Sequence, residues 1–311
     1  MKSQVHGLHH ITAIASDPKQ NLAFYTKVLG LRFVKKSVNQ DDPGTYHLYY
    51  GDYAASPGTI LTFFPWIGMH RGRPGLGQAY ATGFSVPAGS VGFWEKRLAD
   101  LKVKTAPGEG RLGDVVITLF DPDGLRLELV ATAEDDPRSP VPSKEVPAEF
   151  AIRGFHSSTL ALADRAATEA LLTGTMGYRS VATAATRARF AAGAGGPGTY
   201  VDLVTGPSLP PGLGGAGTIH HVAFRVPDAA VQLAAREQLL QRGLQVSPVI
   251  DRAYFQSIYY REPGGVLFEI ATDGPGFAID EPVEKLGSIL SLPPRLEPLR
   301  QEIEAALPSL Q

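Results

Sequence analysis

The sequence predicts an α+β protein of four βαβββ modules, arranged as two domains with curved mixed sheets and helices on their outer faces. Three observations predict it. A short alternating run that leads into a helical stretch recurs four times, each recurrence closes on a Gly/Pro turn followed by an apolar strand, and 311 residues are too many for one ordinary core.

The first module, residues 7–68, opens on His9-His10-Ile11-Thr12-Ala13-Ile14-Ala15-Ser16-Asp17. Its apolar/polar alternation is that of a strand, and Leu22, Phe24, Tyr25, Val28 and Leu29 then fall on one helix face, with Gly30 as the stop. Tyr46–Tyr50 reads as a strand, and the turn Pro57-Gly58 precedes another at Thr59–Phe64. The second module, 78–132, runs from Ala81-Thr82-Gly83-Phe84-Ser85-Val86-Pro87 through a helix bearing Val91, Phe93, Trp94 and Leu98 to strands at Asp114–Phe120 and Leu125–Val130. The third, 153–205, starts at His156–Leu162, passes Asp164 into a helix ending near Gly177, and finishes at Thr199–Val204. The fourth, 217–273, repeats the doublet as His220-His221-Val222-Ala223-Phe224-Arg225-Val226-Pro227-Asp228, then a helix with Val231, Leu233, Leu239 and Leu240 on its face, closed by Gly243. Strands at Ser257–Arg261 and Val266–Ala271 complete it. Gly- and Pro-rich Gly68–Gly77, Pro137–Pro147 and Gly206–Gly217 read as linkers, and 286–311 as a C-terminal helical tail spaced by Leu290, Leu292, Leu296, Leu299, Ile303 and Leu307.

Composition narrows the function. A formal charge of −2 without a long basic run argues against nucleic acid or a membrane surface as partner and leaves a small molecule. With no cysteine, any metal must be held by His and carboxylate. The first residues lack the basic and apolar regions of a signal peptide and no apolar run reaches spanning length, so a soluble cytoplasmic protein is expected.

Side chains alternate along a strand, so each His-His doublet should split, one imidazole toward the helix and one into the concavity. His220, Val222, Phe224 and Val226 share the bulkier, apolar face, which leaves His221 on the open one; His9 with Ile11 and Ala13, against His10 with Thr12, reads the same way. In the last strand Val266, Phe268 and Ile270 read as core, with Glu269 opposite. If the first and fourth modules share a sheet, His10, His221 and Glu269 meet in one cavity. Two neutral imidazoles and one carboxylate leave about three positions open on an octahedral ion, which suits Fe(II), with Mn(II) as a substitute and zinc less natural. The middle modules carry Ala81 and Ser157 where the ligand histidines would stand, so Glu128, at the carboxylate position, has no His partner and one metal per chain is expected. It reads as a solvated or structural residue. His47 and His156 read as structural or at most substrate-facing, and His6 and His70 as exposed.

These repeats resemble the vicinal oxygen chelate superfamily, which includes glyoxalase I, fosfomycin-resistance proteins and extradiol dioxygenases. The stretches LHHITAIASD, TYHLYYGD, PGTILTFFPW, RGFHS, IHHVAFRVPD and DRAYFQSIYYREPGGVLFE are similar, in order and spacing, to hydroquinone ring-cleaving dioxygenases. The resemblance implies an Fe(II) enzyme that opens the ring of a hydroquinone-type aromatic, substituted or chlorinated rings included, beside a hydroxyl with O₂. It assigns the metal to His10, His221 and Glu269 and supporting roles to His9, His220, Thr12, Arg252 and Tyr259. On that reading Arg252 lowers the cost of deprotonating the bound hydroxyl and Tyr259 acts as an acid/base partner. Residues Val181–Gly196 depart most from the family pattern, which leaves the pocket loops there open. A homo-oligomer is compatible with the sequence. The alternatives are a glyoxalase-like metal-dependent lyase or isomerase, and a metal-free binding or resistance protein of the same fold.

Overall fold

The computed structural model describes residues 5–107, 111–132, 136–141, 143–206 and 209–310. Residue 142 of the expected linker Pro137–Pro147, residues 207–208 of Gly206–Gly217 and the tail's last residue lie outside the described residues.

Four times, a strand is followed by a helix and then by three strands. The first run is β1 (Leu8–Ala15), α1 (Pro18–Ala23), β2 (Arg32–Val38), β3 (Tyr46–Gly51) and β4 (Ile60–Pro65). The second is β5 (Gln78–Val86), α2 (Val91–Asp100), β6 (Thr105–Ala106), β7 (Val115–Phe120) and β8 (Arg126–Ala131). The third is β9 (Gly154–Ala161), α3 (Ala166–Gly174), β10 (Arg179–Thr183), β11 (Arg187–Ala191) and β12 (Tyr200–Val204). The fourth is β13 (Thr218–Val226), α4 (Ala229–Gln241), β14 (Ile250–Asp251), β15 (Phe255–Arg261) and β16 (Leu267–Pro275), and the chain ends on a short α5 (Arg300–Ala306).

In each run the first strand pairs in parallel with the last, β1 with β4, β5 with β8, β9 with β12 and β13 with β16. Such a pair needs a crossover, which the helix provides. Two eight-stranded mixed sheets result, in the orders β14-β15-β16-β13-β1-β4-β3-β2 and β10-β11-β12-β9-β5-β8-β7-β6. Thus the outer two runs share one sheet through the antiparallel pair β1–β13, and the inner two share the other through β5–β9.

Local chemistry sets the helices. Asp17 caps α1 by accepting from the backbone N–H of Lys19 and Gln20, and Asp228 caps α4 by accepting from Val231. The first helix does not run as one α-helix to Gly30: after Ala23 it widens into a π turn, Phe24–Val28, that ends before Gly30 at φ +71°. On α4 half of the expected apolar face holds, with Leu239 buried and Val231 packed on the core. Leu233 and Leu240 are exposed, while Gln232 is buried and its amide donates to the carbonyls of Gln256 and Ile270 at 2.7 and 2.8 Å. Two backbone acceptors of the sheet thus outweigh the leucines in choosing the face. The helical tail is shorter than its leucine spacing suggests, because Pro294 and Pro298 keep 294–299 as a 3₁₀ turn ahead of α5. Leu296 and Ile303 anchor it.

Candidate metal centre

The doublets do not alternate as simple strands would. Between β1 and β13 the register passes from Leu8↔Phe224 to His10↔Ala223, and from Thr12↔His221 to Ala13↔Ile219, so His9 and His220 are each one residue too many. These are β-bulges, and a bulge lets two successive side chains share a face. His9 therefore packs on Phe255, a cavity-lining ring, with centroids 4.9 Å apart, instead of lying under the helix with Ile11 and Ala13. His220 is exposed, lines the cavity and meets the edge of Phe64 at 5.8 Å. Both first histidines were expected on the helix side; the bulges move them. Beyond the bulges the expected faces hold, with Ile11, Ala13, Val222, Phe224 and Val226 buried in the core.

His10, His221 and Glu269 come together. The two Nε2 atoms are 3.3 Å apart, and Glu269 Oε2 lies 3.3 Å from the first and 3.0 Å from the second. All three side chains are buried. On the far side of each imidazole, Nδ1 of His10 meets Nδ1 of His9 at 2.9 Å and Nδ1 of His221 meets Nδ1 of His220 at 2.7 Å. One nitrogen of each such pair must carry the proton. With Nδ1 of the inner ring as donor, its Nε2 presents a lone pair to the centre, and the other ring N–H of His9 donates to the backbone carbonyl of Thr272. Burial holds His9 and His221 below the ordinary imidazole range; His220, exposed as a residue, has its ring desolvated against His221 and Phe64 and is lowered to about 3, so these rings are neutral. Burial alone would raise the Glu269 carboxyl, but His10 and His221, when they carry a proton on the nitrogen facing it, hold it well below its usual range.

The carboxylate is held from behind. Ser257 donates to Glu269 Oε1, whereas Oε2, turned to the imidazoles, receives no well-formed hydrogen bond. A buried, unpaired carboxylate oxygen is costly unless something positive sits against it. Three electron-rich atoms within 3.3 Å of one another, with one orphaned, fit a divalent cation. Ser257 was not legible as part of the site: a strand serine has no marking spacing, and only its place beside Glu269 on β16 reveals it.

Around the centre lies a cavity of about 510 Å³. Tyr259 stands across from Glu269 on β15, its ring edge-on to His221 at 5.8 Å, and Arg252 Nε donates to its hydroxyl at 3.0 Å. Both line the cavity, so the structure places them with the three buried groups. Burial raises the Tyr259 phenol above its ordinary range, with the Glu269 charge adding to that and Arg252 opposing it. Thr12 lies across from His221, but its hydroxyl bonds Thr62 at 2.8 Å and no imidazole. His47 lines the cavity, stacked against Phe64 at 4.3 Å. His6 and His70 are exposed. The segment after β16 adds Ile279, Asp280, Leu292 and Pro293 to the lining.

The second sheet repeats the backbone without the chemistry. Its bulges fall at Tyr80 and His156, just ahead of Ala81 and Ser157. Two carboxylates occupy positions equivalent to that of Glu269: Glu128 across from Gly83, and Asp202 across from Thr159. Glu128 is fully buried rather than solvated, gripped by Arg111 and by Arg126 at 3.0 Å. Asp202 is bound by Arg187 at 2.7 Å and Arg189 at 2.8 Å. Arginine charge thus stands here against the carboxylates. His156 is buried with Nδ1 3.2 Å from Ser157 Oγ, as a structural residue.

A family model described as the Glyoxalase/Bleomycin resistance protein/Dioxygenase superfamily matches residues 7–129 and 154–270. Among curated proteins, the chain is 45% identical over 307 residues to "Putative ring-cleaving dioxygenase MhqO" of Bacillus subtilis (strain 168), covering 99% of this chain and 97% of that one. It is 34% identical over 311 residues to "Chlorohydroquinone/hydroquinone 1,2-dioxygenase" of Sphingobium indicum, covering 97% and 96%. A crystal structure titled as a putative dioxygenase from Bacillus subtilis superposes with a TM-score of 0.95 at 44% identity, over 99% of this chain and 98% of that one.

Proposed function

Since the chain belongs to the glyoxalase/bleomycin resistance protein/dioxygenase superfamily, we propose that it is a metal-dependent dioxygenase that opens the ring of a hydroquinone-type aromatic, substituted or chlorinated rings included. One observation carries the reading: His10, His221 and Glu269 present three donor atoms within 3.3 Å of one another, and the two imidazoles open on a cavity that Tyr49, Phe64, Trp66, Tyr254, Phe255 and Tyr259 help to line. The relatives' names supply the reaction class, and a reaction that places both oxygen atoms of O₂ in the product needs no outside reductant.

His10, His221 and Glu269 would hold the ion. When bound there, ferrous iron, or manganese in its place, supplies the redox chemistry that lets an electron-rich ring react with dioxygen. The protein's own groups do the rest. Arg252 places a fixed positive charge at the cavity wall and lowers the cost of ionising a ring hydroxyl near the centre. Tyr259, kept as a neutral phenol by burial, can donate its proton to an oxygen atom on the ring or on its cleaved product. His9 and His220 fix the tautomers of the two inner imidazoles, and Ser257 fixes the carboxylate. Thr12 holds β1 to β4 beneath them through Thr62.

The test is anaerobic loading with Fe(II), followed by oxygen uptake on a panel of hydroquinones. Uptake with at least one member, and a product that retains both oxygen atoms of labelled O₂, is expected. No uptake with any member, together with turnover of a methylglyoxal–thiol adduct, overturns the proposal in favour of glyoxalase-like chemistry. Absence of bound metal under every loading condition overturns it in favour of a metal-free binding protein.

A further inference from the structure

From the cavity into the first sheet runs a chain of four side chains on three adjacent strands. Tyr49 and His47 stand on β3, Thr62 on β4 and Thr12 on β1, and the register sets Tyr49 beside Thr62, Thr62 beside Thr12 and Thr12 beside His221. The Tyr49 hydroxyl is 2.7 Å from His47 Nδ1, His47 Nε2 is 2.9 Å from Thr62 Oγ1, and Thr62 Oγ1 is 2.8 Å from Thr12 Oγ1. Both Tyr49 and His47 line the cavity, while the two threonines are fully buried.

The lengths give the chain a direction. Hydroxyl donors make shorter bonds than N–H donors, with about 2.7–2.8 Å typical of the first and about 2.9–3.0 Å of the second. A phenol donating to Nδ1 at 2.7 Å and an Nε2–H donating to Thr62 at 2.9 Å fit those lengths, and we assign the tautomer on that basis. A neutral imidazole has one proton, so the two assignments require each other. Burial keeps both groups neutral, lowering the imidazole and raising the phenol. The Tyr49 proton is therefore spent on His47, and its oxygen turns only lone pairs toward the cavity. Such an oxygen binds a hydroxyl and gains nothing from an ether or an unsubstituted ring.

We infer that Tyr49, oriented by His47, recognises the second hydroxyl of a dihydroxy ring whose first hydroxyl lies at the three buried donor groups. Tyr49 touches the substrate and sets specificity; His47 is a positioning residue that acts through it. This rests on the hydroquinone reading above and deepens it by naming the group that selects the second hydroxyl, so that monophenols and O-methylated rings are disfavoured.

Binding is measured by calorimetry on the Fe(II)-loaded full chain without oxygen, so that nothing turns over. The probes are hydroquinone, 4-methoxyphenol and phenol. The wild-type chain should bind hydroquinone about ten-fold more tightly than either of the others, the worth of one hydrogen bond. Tyr49→Phe should bring hydroquinone to the level of phenol and leave phenol itself unchanged. His47→Ala frees the Tyr49 proton, and its signature is a shift in favour of 4-methoxyphenol, whose ether oxygen can now accept it. A wild-type chain that binds all three alike, a Tyr49→Phe variant that keeps the wild-type ratios, or one that loses all three equally overturns the inference. Oxygen uptake is read separately. A chain that shows the expected ratios and consumes no oxygen retains the recognition and loses the ring-cleavage reading; one that consumes oxygen and does not discriminate does the reverse.

Discussion

Glu269 shows how much one residue's surroundings can decide. One carboxylate oxygen has a serine and the other faces two imidazole nitrogens without a hydrogen bond of its own. A bound cation removes that deficit, so loading should stabilise the fold, by about 2.7 kcal/mol at a metal concentration of about 100 Kd. Glu269→Gln should keep the fold by circular dichroism, take up no stoichiometric iron in elemental analysis, and show no rise in melting temperature on loading. Ser257→Ala tests the support behind it: metal affinity should fall by about 10- to 100-fold in a competition with a chelator, with all three direct donors intact. Unchanged affinity would make Ser257 a packing residue only. At this scale the sequence was legible where simple alternation holds. His10, His221 and Glu269 could be placed on one face from their neighbours, but His9 and His220 could not, because a bulge leaves no mark in a string of residue types.

Strands, helices and turns were legible in outline because they rest on local pattern: the capping aspartates 17 and 228 and the glycine stop at residue 30 stand where the spacing puts them. What was not legible was the burial of Gln232 in place of Leu233 and Leu240 on α4 and the π turn after α1, the first decided by groups distant in sequence. Tyr25, within that π turn, donates to Asp121 at 3.0 Å in the turn between β7 and β8, joining the first run to the second. Asp121 also accepts from the backbone of Asp123 and Leu125 at 3.0 and 2.8 Å, yet burial pushes its carboxyl up to about 7 from 3.8. Between those values the folded chain binds a proton that the unfolded chain has released. This group's stability contribution is therefore complete below about pH 3.8 and is lost as pH rises through about 7. Asp121→Asn should flatten that slope, so that the urea midpoint falls less between pH 5 and pH 8 than in the parent. An unchanged slope would assign the pH dependence to other groups. The segment after β16 is tied down by the buried Lys35, which reaches Asp280 at 2.6 Å and Glu281 at 2.5 Å. Lys35→Met leaves Glu281 buried without its counter-charge, held by Ser288 and the backbone of Gly287 and Ile289, should cost about 3 kcal/mol, and should raise amide exchange across 277–292, where Asp280 and Leu292 wall the cavity.

Across the whole molecule, two sheets of the same topology have been given opposite contents. The first keeps two imidazoles, one carboxylate and a cavity; the second has carboxylates in two equivalent positions and arginines against both. The repeat order was legible because each run carries its own pattern, but the arginines were not, since Arg111 stands ahead of β7, and Arg187 and Arg189 lie on β11, within 181–196, where the sequence departs most from the family pattern. The tail's role as a cavity wall was likewise hidden, for its leucines mark burial and say nothing of what they face. The arginines make the difference between the halves testable. Removing Arg111 leaves Glu128 fully buried with Arg126 alone, so Arg111→Met should destabilise the chain by about 3 kcal/mol, and the double variant Arg111→Met/Glu128→Leu should recover most of the loss. If the second sheet is a charge-compensated scaffold, both variants still bind one iron per chain, and His10→Ala alone brings that figure to zero. A second equivalent bound by the wild-type chain, or one retained by His10→Ala, would place metal in the second sheet and break the division between the halves.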